Sequence, residues 1–418
     1  MKTLKHVYAF AIASRLTTIT IAILSFLTTG TYDSSADIQL ASSSLIHRCL
    51  SVFVRWDALY FMHIARHGYV YEQEHAFFPT VPLAARYLAQ TVFSPLQNSL
   101  GAQHTIVLAA VLITNISFIL AAGTLFKLTR SIFPGHPQLA AISAIAFCLS
   151  PPCMFMSSVY TESPFAWLSF TGMLWYSKKH YLAAALVWGV TSSVRSNAIV
   201  YSGFFMYDLI LRRFGKCSMV TGLIRAMVYM AITFSGYAAV QYYGYLEYCP
   251  GRPWCEQTIP MLYSFVQKEY WNNGFLTYYE VKQIPNFFLA LPIISITVVG
   301  LWRYIQYDGL WFWSLGFLSS KDQGGEPTMG YTSRRAAPFM YLWGVLLFYA
   351  TTCMHVQVII RFFTSLPPLY WFTAQLWMEG FGNHSKAIQQ WIAKIVLSYY
   401  VLYGLVGIVL FAAFLPPA

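Results

Sequence analysis

The chain has 418 residues, of which 57% are hydrophobic and 18% aromatic, while only 10% carry a charge and the formal net charge is +11. That apolar content exceeds what a soluble globule buries and predicts an all-α polytopic membrane protein. The basic residues are spread over connections instead of forming a basic, aromatic surface, which gives no support to nucleic-acid binding and makes the charge a topology signal.

The first apolar span, roughly 8 to 29, follows Lys2 and Lys5 and lacks a small-residue cleavage site, so a retained helix is expected. From Ser42 to His67 the chain lacks Gly and Pro and has helical periodicity, predicting one helix along the membrane surface. On it Trp56, Tyr60, His63 and His67 share a face, and Asp57, Phe61 and Ile64 line the neighbouring stripe. Arg48, Arg55 and Arg66 fall on another stripe and are expected to meet lipid headgroups. A carboxylate at this depth costs free energy unless it is solvated, paired or used, which makes Asp57 a candidate catalytic group, with an N-cap or ion pair as the alternative. Glu72 and Glu74 follow the Gly68-Tyr69 turn, either as a second acidic group or as ordinary solvated loop carboxylates. Phe77-Phe78-Pro79 is expected to dock this loop onto the bundle.

Further spans are predicted near 104–126, 139–157, 163–177, 181–196, 198–211, 219–245, 285–304, 338–354, 357–376 and 393–414, about eleven in all, with 181–211 open to being one kinked element. In the turn Tyr160-Thr161-Glu162-Ser163-Pro164, Ser163 reads as an N-cap and Pro164 as a first helical residue, which leaves Glu162 as a reserve carboxylate at a lumenal mouth. Arg195-Ser196-Asn197 ends another span, with Arg195 either snorkelling to the interface or meeting a lipid phosphate. The loop 246–284 is rich in aromatic and amide side chains and carries Lys268, a composition that suits sugars and also ordinary interfacial belts. Within it Cys249 and Cys255 flank Pro250-Gly251-Arg252-Pro253-Trp254 and are expected to close a disulfide in an oxidising compartment, two free thiols being the alternative. His355, Gln357 and Arg361 mark a last lumenal turn, and Arg361 lies in an apolar span before Pro367-Pro368, where its charge needs an anionic partner.

With the N-terminus cytosolic, Lys127, Arg130, Lys178, Lys179, Arg212, Arg213, Lys216, Arg334 and Arg335 all fall on the cytosolic side. The loops 30–103 and 246–284, with Asp33, Asp37, Asp57, Glu72 and Glu74 in the first, then share the opposite face. The stretch Ser319 to Ala337, with Gly324-Gly325 and Pro327, reads as part of a cytosolic loop (about 305–337) inside a single domain spanning 1–418. Asn383-His384-Ser385 fits a glycosylation sequon on the cytosolic side and is expected to be unmodified. No Asp-x-Asp pair and no zinc-ligand spacing occurs, so neither metal nor cofactor is expected.

Taken together, Trp56-Asp57-Ala58, Ile64-Ala65, Gly68-Tyr69, Glu72, Ala76-Phe77-Phe78-Pro79, Tyr160-Thr161-Glu162-Ser163, Arg195-Ser196-Asn197, Arg252-Pro253-Trp254-Cys255, Gln283-Ile284-Pro285-Asn286-Phe287 and His355-Val356-Gln357 resemble the GPI mannosyltransferase 2 (PIG-V) family, from about residue 5 to about 410. Ala198 stands where the family pattern has Gly, which relaxes one turn. The resemblance implies a GT-C glycosyltransferase fold and residence in the endoplasmic reticulum membrane with a lumenal site. It also implies dolichyl-phosphate-mannose as donor, an alpha-1,6 link to a one-mannose GPI precursor, and a small non-catalytic membrane subunit. Under it Asp57 is the expected base and Glu162 its reserve. The candidate substrate contacts are Trp56, Tyr60, His63, Glu72, Arg195, Asn197, Arg252, Trp254, Lys268, Gln283, Asn286, His355, Gln357 and Arg361. The competing readings are a related transferase with another acceptor, a non-catalytic scaffold, and a transporter or scramblase. A transporter should show matched repeats or Gly/Pro-broken helices in two halves, and none is seen.

Overall fold

Where the apolar spans run straight and where they break follows from prolines and from buried polar groups. A computed structural model describes residues 3–29, 31–32, 44–214, 219–318 and 330–416. Asp33, Asp37, Lys216, Gly324-Gly325 and Pro327, together with the expected helix start at Ser42, lie outside the described residues. Helices dominate the described chain, and no strand occurs among the described residues. Five helices there are long and apolar enough to cross a bilayer unaided: Leu4–Thr28, Ser94–Ile132, Met219–Tyr248, Val281–Tyr307 and Ala387–Ala412. The other expected spans fall on shorter helices, such as Pro137–Cys148, Glu162–Ser177, Tyr181–Ser192, Ala337–Thr352 and Pro367–Gly380.

Three breaks in the backbone matter for the site. The span expected over 139–157 ends at Cys148, because Pro151 and Pro152 cannot continue the hydrogen-bond ladder, and turns carry the chain to Thr161. The kinked element considered for 181–211 is broken: Tyr181–Ser192 ends, Arg195 is extended, and a 3-10 turn follows at Ser196–Tyr201. Likewise 357–376 is interrupted. Leu366 is held extended before Pro367-Pro368, so the Pro367–Gly380 helix starts afresh, and Arg361 sits on a separate short helix, Ile359–Phe362. That irregular backbone is enclosed by protein, with Phe363, Thr364 and Ser365 buried, as a break at membrane depth requires.

The surface helix expected over 42–67 is also divided, into Leu45–Ser51 and Ala58–His67. Val52, Phe53 and Val54 between them are buried, and Phe53 O accepts from Val159 N at 3.2 Å, a tertiary contact that outweighs local helical preference. The arginine stripe is lost with it. Arg55 donates to Ser51 O and Val54 O at 2.9 and 3.0 Å and lies between the rings of Phe26 and Phe414, so it is buried protein and not a lipid contact.

Close helix approach holds the frame. A side chain on Gly236 would meet Gly189 O at 2.2 Å, and the Tyr237 amide donates to Ser192 Oγ at 3.0 Å, a small-residue crossing between Met219–Tyr248 and Tyr181–Ser192. The bundle has two unlike ends. Glu162 opens the Glu162–Ser177 helix, and at its other end Lys179 and Arg212 pair with Asp208. Asn383 precedes Ala387–Ala412, and the far end of that 26-residue helix leads to Phe414 against Trp56, about 40 Å away by helical rise.

Candidate functional site

At the end of the bundle opposite those basic turns lies a cavity of about 450 Å3. Trp56, Asp57, Arg195, Asn197, Asn286, His355, Gln357 and Arg361, all candidates from sequence, line it. Asp57 is placed by the break before it. Trp56 takes a positive φ of 57°, and Asp57 then occupies the N-cap position of Ala58–His67 without capping it through its side chain. The carboxylate points instead to Arg361, whose Nη1 lies 2.9 Å from Asp57 Oδ2. Tyr160 secures the turn by donating its hydroxyl to Arg55 O at 2.8 Å.

Glu162 sits behind this pair, completely buried and not at an open mouth. Its Oε1 accepts from Arg361 Nε at 2.8 Å and forms an ion pair with Arg195, whose Nη1 lies 3.1 Å away. Thus two carboxylates and two guanidinium groups form one chain, Asp57, Arg361, Glu162, Arg195, drawn from four separate segments. The Arg361 guanidinium also lies over the rings of Phe155 and Tyr160, 4.3 and 4.9 Å from their centroids, which orients a charge that would otherwise be costly at this depth.

The opposite wall comes from the loop 246–284. Trp271 and Asn273 line the cavity, and His355 Nε2 bonds Trp271 O at 2.8 Å while its ring stacks on Tyr278. Tyr278 donates to Gln357 Oε1 at 2.8 Å and accepts from Asn286 at 2.7 Å, and Asn286 in turn donates to Gln283 Oε1 at 2.7 Å. Trp271 Nε1, Asn197 Nδ2 and Asn273 Oδ1 are buried with no protein partner among the described residues. A cavity that joins aromatic faces, amides and two arginines is suited to a sugar attached to an anionic group.

Other candidates lie elsewhere. Tyr60 stacks on Phe77, 4.7 Å between centroids, and does not itself line the cavity; His63 pairs with Glu74. Glu72 is not a solvated loop carboxylate. It accepts from Arg252 Nε, Trp254 Nε1 and Tyr270 Oη, each at 2.9 Å, and so ties the stretch 68–79 to the loop 246–284, next to the Cys249–Cys255 disulfide. Burial alone would push the Glu72 carboxyl up, but those donors outweigh it and hold it below its ordinary value. Lys268 is exposed on the Leu262–Glu269 helix and does not reach the cavity. Conversely, Phe155 and Pro416 line the cavity without having been singled out. The Pro151-Pro152 break was the available signal for Phe155, and the C-terminal turn offered none.

Comparison with known proteins agrees with this frame. The family profile described as Mannosyltransferase (PIG-V) matches residues 4–418. The chain is 30% identical to GPI alpha-1,6-mannosyltransferase 2 of Cricetulus griseus, over 99% of this chain and 98% of that one. It is 31% identical to GPI mannosyltransferase 2 of Aspergillus fumigatus, over 93% and 88%. Among solved structures, the apo oligosaccharyltransferase of Archaeoglobus fulgidus superimposes with a TM-score of 0.50 at 10% identity, over 96% of this chain. The chain spans 56% of that protein's length, and the likeness is one of fold, the GT-C architecture, alone.

Proposed function

The chain belongs to the PIG-V mannosyltransferase family, and on that premise we propose that it transfers the second mannose, in alpha-1,6 linkage, from dolichyl-phosphate-mannose to a one-mannose GPI precursor. The observation that carries this reading is the Asp57–Arg361 pair on the wall of the cavity: a base and a cation side by side. The multi-pass bundle would place that cavity at the lumenal face of the endoplasmic reticulum membrane, as the acidic loops and the basic opposite end suggest.

A beta-linked phosphate donor that gives an alpha product reacts with inversion, so one base suffices and no enzyme-bound sugar is formed. The acceptor 6-hydroxyl oxygen attacks the mannosyl C1 while its proton passes to Asp57. The bond from C1 to the phosphate oxygen breaks, and its electron pair leaves with dolichyl phosphate. The growing charge on that oxygen calls for fixed cations, which the cavity supplies as guanidinium groups.

The test is purified protein with labelled dolichyl-phosphate-mannose against a panel of one-mannose acceptors. The expected product is a two-mannose GPI lipid that alpha-1,6-mannosidase digests. Transfer to a non-GPI glycan in preference to the GPI precursor contradicts the acceptor assignment, and absence of transfer to any member of the panel contradicts the reading as a whole.

A further inference from the structure

Of the four charged groups in the chain Asp57, Arg361, Glu162 and Arg195, Glu162 alone does not line the cavity. It is fully buried, one oxygen carries both arginines, and Oε2 has no protein partner among the described residues. A carboxylate that cannot reach a substrate hydroxyl is badly placed to take its proton. It is well placed to fix two guanidinium groups. Arg361 spends Nε on Glu162 and Nη1 on Asp57, which leaves Nη2 without a partner among the described residues, on a side chain that lines the cavity. Arg195 spends Nη1 on Glu162 and lines the same wall. The planar fork of a guanidinium suits phosphate oxygens.

The other basic candidates, Lys268 and His355, are less suited to the phosphate. Lys268 does not line the cavity. His355 is engaged by Trp271 O and Tyr278, and burial lowers its pKa, disfavouring the charged form.

Resting on the lipid-phosphate donor read above, we propose that Glu162 is a positioning residue holding Arg195 and Arg361 as a two-guanidinium clamp for the donor phosphate, and that the phosphate releases Asp57 by competing for Arg361. Charge accounting supports the exchange. The resting cluster is neutral, with two carboxylates against two guanidinium groups. The reaction then moves one negative charge from Asp57, which takes a proton, to the departing phosphate, which gains an electron pair. Arg361, touching Asp57 and fixed by Glu162, is the cation that follows this transfer.

The experiment uses the intact chain in detergent, with dolichyl phosphate as the binding probe and dolichyl-phosphate-mannose with the one-mannose precursor for kinetics. Asp57→Asn is expected to bind dolichyl phosphate roughly 3- to 10-fold more tightly than wild type, since no carboxylate then competes for Arg361. Unchanged or weaker binding overturns the competition. Glu162→Gln is expected to raise the donor KM by about tenfold, the scale of one charge-assisted hydrogen bond, with kcat within about threefold and the acceptor KM unchanged. Glu162→Asp should lie between that variant and wild type. A collapse of kcat at unaltered donor KM in Glu162→Gln overturns the positioning role and makes Glu162 the base. Should Glu162→Gln not accumulate as folded protein, Arg195→Lys keeps the charge and loses the fork; a raised donor KM supports the clamp and an unchanged one overturns it. Wild-type protein that binds dolichyl phosphate yet transfers no mannose contradicts the donor reading and leaves the clamp standing, whereas wild-type protein that transfers mannose without any affinity for dolichyl phosphate overturns the clamp alone.

Discussion

Glu72 and Glu162 are both buried carboxylates held by arginine, and they behave differently. Glu72 receives Arg252, Trp254 and Tyr270 in a cluster that spans two loops and lies off the cavity. Glu162 receives two arginines on one oxygen, leaves the other unpartnered among the described residues, and its arginines face a cavity beside Asp57. A saturated cluster holds structure together. An unsaturated one beside a cavity has capacity left for a ligand.

The largest effect expected from breaking this contrast is at Arg361. Arg361→Ala removes the shared cation and leaves Asp57 and Glu162 facing each other without it, which costs about 3–5 kcal/mol for a buried pair broken on one side. Activity should fall below detection, and thermal unfolding in detergent should shift markedly downward; an active, equally stable variant would break the account of the cluster. On the saturated side, Glu72→Gln should cost about 1–2 kcal/mol, because three donors lose a charged acceptor while Arg252 stays partly solvated. Proteolysis of the 246–284 loop should quicken while kcat on surviving protein stays near wild type.

A smaller effect concerns pH. His75 is buried against Tyr69, 3.9 Å between ring centroids, and burial lowers its pKa to about 4. The folded state therefore favours the neutral ring, so its contribution is present above the unfolded value near 6.5 and declines as pH falls from there toward about 4. Acidification through that window should loosen the loop around His75, read as proteolytic sensitivity, and His75→Phe should flatten the response. The smallest effect is that of chelator. With no three His, Cys, Asp or Glu side chains grouped as metal ligands among the described residues, EDTA should leave most activity intact. Loss on chelation, restored by manganese or magnesium, would contradict a leaving group stabilised by arginine alone.

Asp57, Arg195 and Arg361 were each legible because a charge in an apolar context demands an explanation. Their meeting was not, since Glu162 and Arg361 are 199 positions apart and nothing local encodes their contact. The helices were read well wherever a span was long and uniform, as in Met219–Tyr248. They were misread where tertiary contacts decided the backbone, as at Val52–Trp56, where burial of Phe53 and its bond to Val159 divide a periodic helix. For Glu72 the sequence left a second acidic group and a solvated loop carboxylate both open, because its three donors come from the distant loop 246–284.

The central claim, that the unsaturated cluster performs chemistry through Asp57, is tested most directly by the single-turnover rate of Asp57→Asn, in membrane-inserted protein preloaded with labelled dolichyl-phosphate-mannose. The substitution keeps size and shape and removes the negative charge that takes the proton. The account predicts a rate about 100- to 10,000-fold below wild type with donor still bound. A near wild-type rate in Asp57→Asn, with normal expression and insertion, would contradict it.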